Sequence, residues 1–244
     1  MGWDGIFLAF EIQHLEKAVT GIRALGVQGA SVTMPFKTKL IPYLDGIEGM
    51  AERIKAVNTI VTRGGKLVGH NTDWFGALAA LEERMDLRGK RVYLLGAGGA
   101  GRAIAFGLKE RRCHVTIFNR TQERAVALAQ ELGCEYRSLT SLSRGDDTRM
   151  RPDLLINATS VGMIPWDNET PVPKSVLKEG MIVMDIVYRP LRTRLLKEAE
   201  EKGCQTIDGL RMLAYQGAAQ IELWTEKRPD IEEIMGDLRK AIGQ

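Results

Sequence analysis

A short apolar run, Arg91-Val-Tyr-Leu-Leu95, opens directly into Gly96-Ala-Gly98-Gly99-Ala-Gly101 and then into a helical pattern beginning Arg102-Ala-Ile-Ala105. Strand, glycine turn and helix start in this order restrict the chain more than any other feature, because they are the context of a dinucleotide-binding βαβ unit. Gly96 permits the tight turn, Gly98 lets backbone N–H groups approach a pyrophosphate, and Gly101 lets helix and strand pack closely. The helix N-terminus then presents its partial positive charge to phosphates. A second strand, Val115-Thr-Ile-Phe118, ends where an NAD site places an acid on the ribose 2′-OH. Here that end reads Asn119-Arg120-Thr121, with Arg124 following. An acid would repel a 2′-phosphate, whereas guanidiniums grip one through charge-assisted hydrogen bonds. The pattern points to NADP rather than NAD. A plainer reading stays open, since such turns also occur in Rossmann-like domains that bind other nucleotides or none, and Thr121 suits the N-cap of the next helix.

Hydrophobic residues make up 44% and charged residues 27% of the 244-residue chain, which describes an ordinary globular protein with room for one large domain or two small ones. The net charge of +3 is unclustered, so neither nucleic acid nor a membrane surface is an expected partner. Charges interrupt every apolar stretch before it reaches a membrane span. Met1-Gly-Trp-Asp4 carries no signal-peptide or myristoylation pattern. Cys113, Cys134 and Cys204 are odd in number and far apart, which argues for reduced thiols of a cytoplasmic protein rather than a disulfide framework or a zinc site. His14, His70 and His114 lack ligand spacing, so no metal is expected, and His70 reads as a structural residue.

Strand-like and helical segments alternate, the pattern of α/β layering with mostly parallel sheets. Strands are expected at Gly5–Phe10, Gly29–Thr33, Asn58–Thr62, Lys66–Gly69, Arg91–Leu95, Val115–Phe118, Asp153–Asn157, Met181–Asp185 and Gln205–Ile207. The pair around Gly64-Gly65 reads as a hairpin. Helices are expected at Leu15–Leu25, Trp74–Arg84, Gln122–Leu132, Leu195–Lys202 and from Leu210 onward with a break near Pro229. Several are closed by a C-terminal glycine: Gly26, Gly133 and Gly203. Arg144–Arg149 reads as a polar loop. The division predicted is residues 1–73 as one domain and 74–208 as the nucleotide domain.

Ser31-Val-Thr33-Met-Pro35-Phe-Lys37 places a hydroxyl and an ammonium just past a strand's C-terminal end, where open α/β sheets bind ligands. Asn71-Thr72-Asp73 sits at a strand-to-helix turn, where the helix dipole favours the Asp73 carboxylate. Reduction of a carbonyl by hydride needs a proton on oxygen, and Lys or Asp can supply or relay it. Each signal is weak alone, since a lone lysine is usually a solvated residue and Asp73 could serve only as an N-cap.

Together with Ala56-Val-Asn58-Thr59, Asn157-Ala-Thr159-Ser-Val-Gly-Met163, Asp185-Ile-Val-Tyr188-Arg-Pro190 and Gln216, these motifs follow one another in the order of the shikimate dehydrogenase family, which the whole chain resembles. The resemblance implies a two-domain α/β enzyme, a substrate domain beside a Rossmann-type NADP domain with a cleft between them. It implies NADPH-dependent, reversible reduction of 3-dehydroshikimate to shikimate in the chorismate pathway to aromatic amino acids. Lys37 and Asp73 match the catalytic pair; Thr33, Asn58, Asp73, Tyr188 and Gln216 match substrate-binding positions. Gly96, Ala97, Gly98, Gly99, Ala100, Asn119, Arg120, Thr121, Arg124, Thr159, Ile186 and Gly209 match positions that contact NADP. The family's last helices, here 209–244, rejoin the substrate domain. A small-molecule substrate and a monomer or homodimer complete the expectation.

Two departures stand out. The family's Ser-x-Ser segment, which holds the substrate carboxylate, is expected to be lacking here, since Gly5–Phe10 matches the strand that follows it. Ser31 also stands where the family has an asparagine. The alternatives are a quinate/shikimate dehydrogenase, usually NAD-preferring and opposed by Arg120 and Arg124, or a truncated NADP-binding fragment of low activity.

Overall fold

The computed structural model describes residues 2–144 and 151–242. A four-stranded sheet is made by β1 (Gly29–Ser31), β2 (Gly46–Ile47), β3 (Thr59–Arg63) and β4 (Lys66–His70), in the order β1-β3-β4-β2. Gly64 and Gly65, at φ 56° and 78°, make the two-residue turn between β3 and β4. Two consecutive positive φ angles match the right-handed twist of the flanking strands. This corrects the expectation of a mostly parallel sheet in this unit. β1–β3 and β3–β4 are antiparallel, and β2–β4 is the parallel pairing. A tight turn can join antiparallel neighbours alone, so the hairpin forces the direction.

Helix α1 (Leu15–Ala24) lays Val19 against Leu40, Val57, Ile60 and Leu67 to form the core of this sheet. The strand expected at Gly5–Phe10 is absent. A strand exists through its ladder partners, and this stretch has none. Ile6, Phe7, Leu8 and Phe10 are left exposed, with Phe7 tilted against the Trp224 ring at 5.8 Å. Helix α2 (Met50–Ile54), unread in the sequence, points Ala51 into this core and Ile54 into the larger one next to it.

The second sheet is wholly parallel: β5 (Arg91–Leu95), β6 (His114–Asn119), β7 (Glu135–Ser138), β8 (Leu154–Asn157), β9 (Ile182–Asp185) and β10 (Gln205–Ile207), ordered β10-β9-β8-β5-β6-β7. The chain first winds from β5 to β7, then returns to the other side of β5. That order is the dinucleotide-binding one, with a crevice expected beyond the C-terminal ends of the paired β5 and β8, where the strand order reverses. Side chains alternate across the sheet as a period of two demands. Val92, Leu94, Leu154, Ile156 and Met184 face α4 (Gly99–Glu110) and α5 (Gln122–Leu132). Tyr93, Leu95, Leu155 and Val183 face α7 (Arg194–Glu201). Both faces are covered, as parallel sheets require. β7 and α6 (Leu139–Arg144) were not anticipated; of the polar loop expected at 144–149, Arg144 ends α6 and 145–149 lie outside the described residues.

Helix α3 (Asp73–Glu82) leads out of the first sheet, and α8 (Gly209–Thr225) leads back from the second. On α8, Trp224 donates to the Ile60 carbonyl at 2.8 Å and Gln220 to the Asn58 carbonyl at 3.1 Å, so α8 is bonded to β3. Helix α9 (Ile231–Ala241) covers α8 through Met235 against Leu210 and Ala214. No helix among the described residues is long and apolar enough to cross a membrane.

Candidate active site

Lys37 lies in the turn after β1, where Val57 N–H donates to its carbonyl at 2.7 Å. Its ammonium reaches Asp73 Oδ2 at 2.5 Å, with the two side chains 14% and 5% exposed. Asp73 is the first residue of α3, after Thr72 at the N-cap position, so its carboxylate stands at the positive end of that helix. The helix-start expectation for Asp73 holds, with Thr72 occupying the N-cap position without a side-chain cap bond.

Asn58 is the buried junction of the site. Its Nδ2 faces Thr72 Oγ1 at 2.9 Å, Asp73 Oδ1 at 3.0 Å and Gln216 Oε1 at 3.3 Å. Its Oδ1 accepts from Thr72 N–H and the Thr59 hydroxyl, both at 2.8 Å. Asn71 and Thr72, quoted in the sequence only as the motif leading to Asp73, join this network, as does Gln220, which was not singled out. Asn71 Oδ1 accepts from Asp73 N–H at 3.0 Å, and Gln220 Nε2 donates to the Ser31 hydroxyl at 3.2 Å. The Ser31 hydroxyl is therefore an acceptor for α8. Thr33 is exposed at the start of the Lys37 turn, and Tyr188 is 42% exposed beyond β9. The structure thus gathers Lys37, Asp73, Asn58 and Gln216 into one network and leaves Thr33 and Tyr188 outside its hydrogen bonds.

Across from Lys37 stands the glycine turn. Gly96 has φ 109°, and a Cβ there would meet the Ala158 carbonyl oxygen at 2.8 Å; a Cβ on Gly101 would stand 2.2 Å from the Gly96 carbonyl oxygen. Only glycine meets both requirements. A Cβ on Gly98 would meet nothing within 4 Å, so the space above the turn is open for a pyrophosphate at the start of the twelve-residue α4. A Cβ on Gly99 would come within 3.2 Å of Lys37 Cβ. The turn and the lysine therefore face each other at contact distance, and the turn fits the pyrophosphate of a dinucleotide.

Asn119 is already engaged: its Oδ1 accepts from Ala97 N–H at 3.2 Å and its Nδ2 donates to the Thr121 carbonyl at 2.7 Å. Thr121 occupies the N-cap position of α5 without a side-chain cap bond. Arg120 and Arg124 are exposed beside it. Thr159 and Ile186 follow the ends of β8 and β9, Gly209 opens α8, and a Cβ on Gly209 would strike the Ile186 carbonyl oxygen at 2.4 Å.

His70 is kept apart from this chemistry. Burial, opposed by Glu48, holds its pKa below the ordinary histidine value, and its buried Nε2 has no hydrogen-bond partner. No group of three potential metal ligands occurs among the described residues. The three cysteines are free, and burial pushes the Cys113 thiol up to about 11.

Three family models match: the shikimate dehydrogenase substrate binding domain over residues 1–60, shikimate/quinate 5-dehydrogenase over 78–211, and the shikimate 5′-dehydrogenase C-terminal domain over 209–238. The shikimate dehydrogenase (NADP(+)) of Thermococcus kodakarensis is 47% identical over 100% of this chain and 89% of its own length. A crystal structure of shikimate dehydrogenase in complex with NADP+ superposes with a TM-score of 0.87 at 40% identity, covering 94% of this chain and 82% of that one. The Thermus thermophilus shikimate 5-dehydrogenase, solved with NADP(H) and shikimate, gives 0.83 at 39% identity over 93% and 84% of the two chains.

Proposed function

The chain belongs to the shikimate dehydrogenase family, and we propose that it reduces the ring ketone of 3-dehydroshikimate to the hydroxyl of shikimate, reversibly, with NADPH. The observation that carries this reading is the Lys37–Asp73 pair at 2.5 Å, facing the glycine turn across the cleft.

When bound, NADPH supplies the hydride that the carbonyl carbon receives. The chain's own residues manage the proton. Lys37 Nζ, aimed by the Asp73 carboxylate, donates to the carbonyl oxygen and delivers its proton as charge builds there. Asp73 cannot turn away, because Asn58 Nδ2 holds its other oxygen at 3.0 Å. Asn58 and Gln216 belong to the same hydrogen-bond network and are proposed to bond the ring hydroxyls, with Thr33 and Tyr188 closing over the substrate from their exposed positions. In the oxidative direction Lys37 receives the proton back. Gly96 to Ala100, Asn119 to Arg124, Thr159, Ile186 and Gly209 are proposed to cradle the cofactor, with Arg120 and Arg124 on its 2′-phosphate.

Residues 1–73 with 209–244 are proposed as the substrate side and 74–208 as the cofactor side. The bonds from Trp224 and Gln220 to β3 support that division. A cytoplasmic enzyme, monomeric or homodimeric, completes the proposal. The test follows NADPH absorbance with purified chain and 3-dehydroshikimate. Consumption that requires both would be the expected result, and a chain that binds NADPH yet never consumes it with this ketone would sink the assignment. Light scattering decides the oligomeric state.

A further inference from the structure

Asp185 ends β9 with none of its surface exposed, and the mechanism above gives it no task. Three donors converge on its carboxylate: Asn157 Nδ2 at 2.9 Å and Val187 N–H at 3.0 Å on Oδ1, and the Thr193 hydroxyl at 2.8 Å on Oδ2. Asn157, itself fully buried, carries the connection outward. Its Oδ1 accepts from Thr159 N–H at 3.0 Å and the Thr159 hydroxyl at 2.6 Å, and its Nδ2 also donates to the Val161 carbonyl at 3.1 Å. The Asn157 carbonyl in turn accepts from Ile186 N–H at 3.1 Å.

Two loops therefore hang on one acid: 157–161 after β8 and 186–187 after β9. The first of them lies directly beside the glycine turn, since a Cβ on Gly96 would stand 2.8 Å from the Ala158 carbonyl oxygen and 3.1 Å from Thr159 Cγ2. We propose that Asp185 is a positioning residue, whose carboxylate fixes Thr159 and Ile186 in the geometry that receives the nicotinamide end of NADP(H). The proposal rests on the cofactor reading above.

An acid suits the place because the three groups facing it are all donors, and a carboxylate accepts from each without needing to donate. Burial opposes its charge and raises its pKa to about 6, against the three hydrogen bonds that lower it. The carboxylate thus sits where desolvation disfavours it, while the network it serves ends at the cleft. The Thr193 branch runs away from the cleft, since the Thr193 hydroxyl also accepts from Leu196 N–H at 3.3 Å and caps α7.

The branches can be cut separately. Asp185→Ala leaves three buried donors unmatched, whereas Asp185→Asn can keep its oxygen on Asn157 and Val187 and offer its amide to the Thr193 hydroxyl. Asn157→Ser severs only the cleft branch, and Thr193→Val only the α7 branch. NADPH affinity by titration calorimetry, KM for NADPH and for 3-dehydroshikimate, and Tm are measured on the full chain. We expect Asp185→Ala and Asn157→Ser to weaken NADPH binding by roughly tenfold or more, as misplaced contacts do, with KM for 3-dehydroshikimate moving by less than about twofold. Asp185→Asn should restore the affinity, and Thr193→Val should lower Tm while leaving it unchanged. Should Asp185→Ala fail to fold, Asn157→Ser decides the matter. Wild-type NADPH affinity in Asn157→Ser, or equal losses for cofactor and ketone, would overturn the proposal. A wild-type chain that bound no NADPH would remove the cofactor reading first, a result distinguishable from either.

Discussion

The Asp73 carboxylate accepts from the Lys37 ammonium at 2.5 Å although 36 residues separate them, and its second oxygen is held by Asn58. The lysine is thereby aimed before any substrate arrives. Lys37→Ala removes the proton donor and should lower kcat by roughly 10²–10⁴-fold, the usual worth of general acid catalysis. NADPH affinity should stay near wild type, because the glycine turn is untouched. Steady-state kinetics paired with calorimetric titration checks both halves. A variant with full kcat would show that the proton comes from elsewhere.

Arg120→Ala tests the cofactor preference. A hydrogen bond to a charged group contributes about 1.5–3 kcal/mol, so NADPH should bind roughly tenfold to a hundredfold more weakly. NADH, lacking the 2′-phosphate, should bind as before. Equal losses for the two cofactors would place Arg120 away from the ribose.

Gly99→Ala probes the approach of the two sides. Its methyl would stand 3.2 Å from Lys37 Cβ and 3.3 Å from Lys37 Cδ, tighter than side chains ordinarily pack. Either the lysine shifts or the cleft stays slightly open. Displacements of this kind slow reactions by roughly tenfold to a hundredfold, and the loss should appear in kcat with Tm nearly constant. Wild-type kcat would mean that the lysine accommodates the methyl.

Asp185 sets a pH dependence of stability. Its folded pKa of about 6 lies above the ordinary value of 3.8. Between those values the folded chain binds more protons than the unfolded one, so stability falls as pH rises through that window. The contribution amounts to about 3 kcal/mol across it. Denaturant unfolding at pH 4.0–6.5 or so should show the wild type losing ground relative to Asp185→Asn as pH rises. Parallel curves for the two proteins would mean that Asp185 does not titrate in that range.

The sequence was most legible where one residue type answers one physical demand. Gly96 and Gly101 are fixed by backbone approach, and the alternation Val92-Tyr93-Leu94-Leu95 becomes two cores on two faces of one sheet. Lys37 and Asp73 were nameable as candidates from their strand-end positions, but their pairing with Asn58 and Gln216 was not, since it depends on how α8 docks. Gly5–Phe10 has strand composition without a ladder partner, and composition cannot see partners. The short elements β2, α2 and β7 escaped because they run only two to five residues, too few to display a period. Asn119, matched to a cofactor position, also holds the Ala97 N–H and the Thr121 carbonyl through its amide, a local role invisible without coordinates.

The bond between Asn58 and Gln216 spans 158 residues of chain. Translation delivers the lysine, the aspartate and the six strands of the nucleotide sheet before it delivers Gln216 on α8. Domains generally fold in the order in which the ribosome releases them, so a nascent chain can hold its cofactor side while its substrate side still lacks a wall. Catalysis is then the last property this polypeptide acquires as it is made.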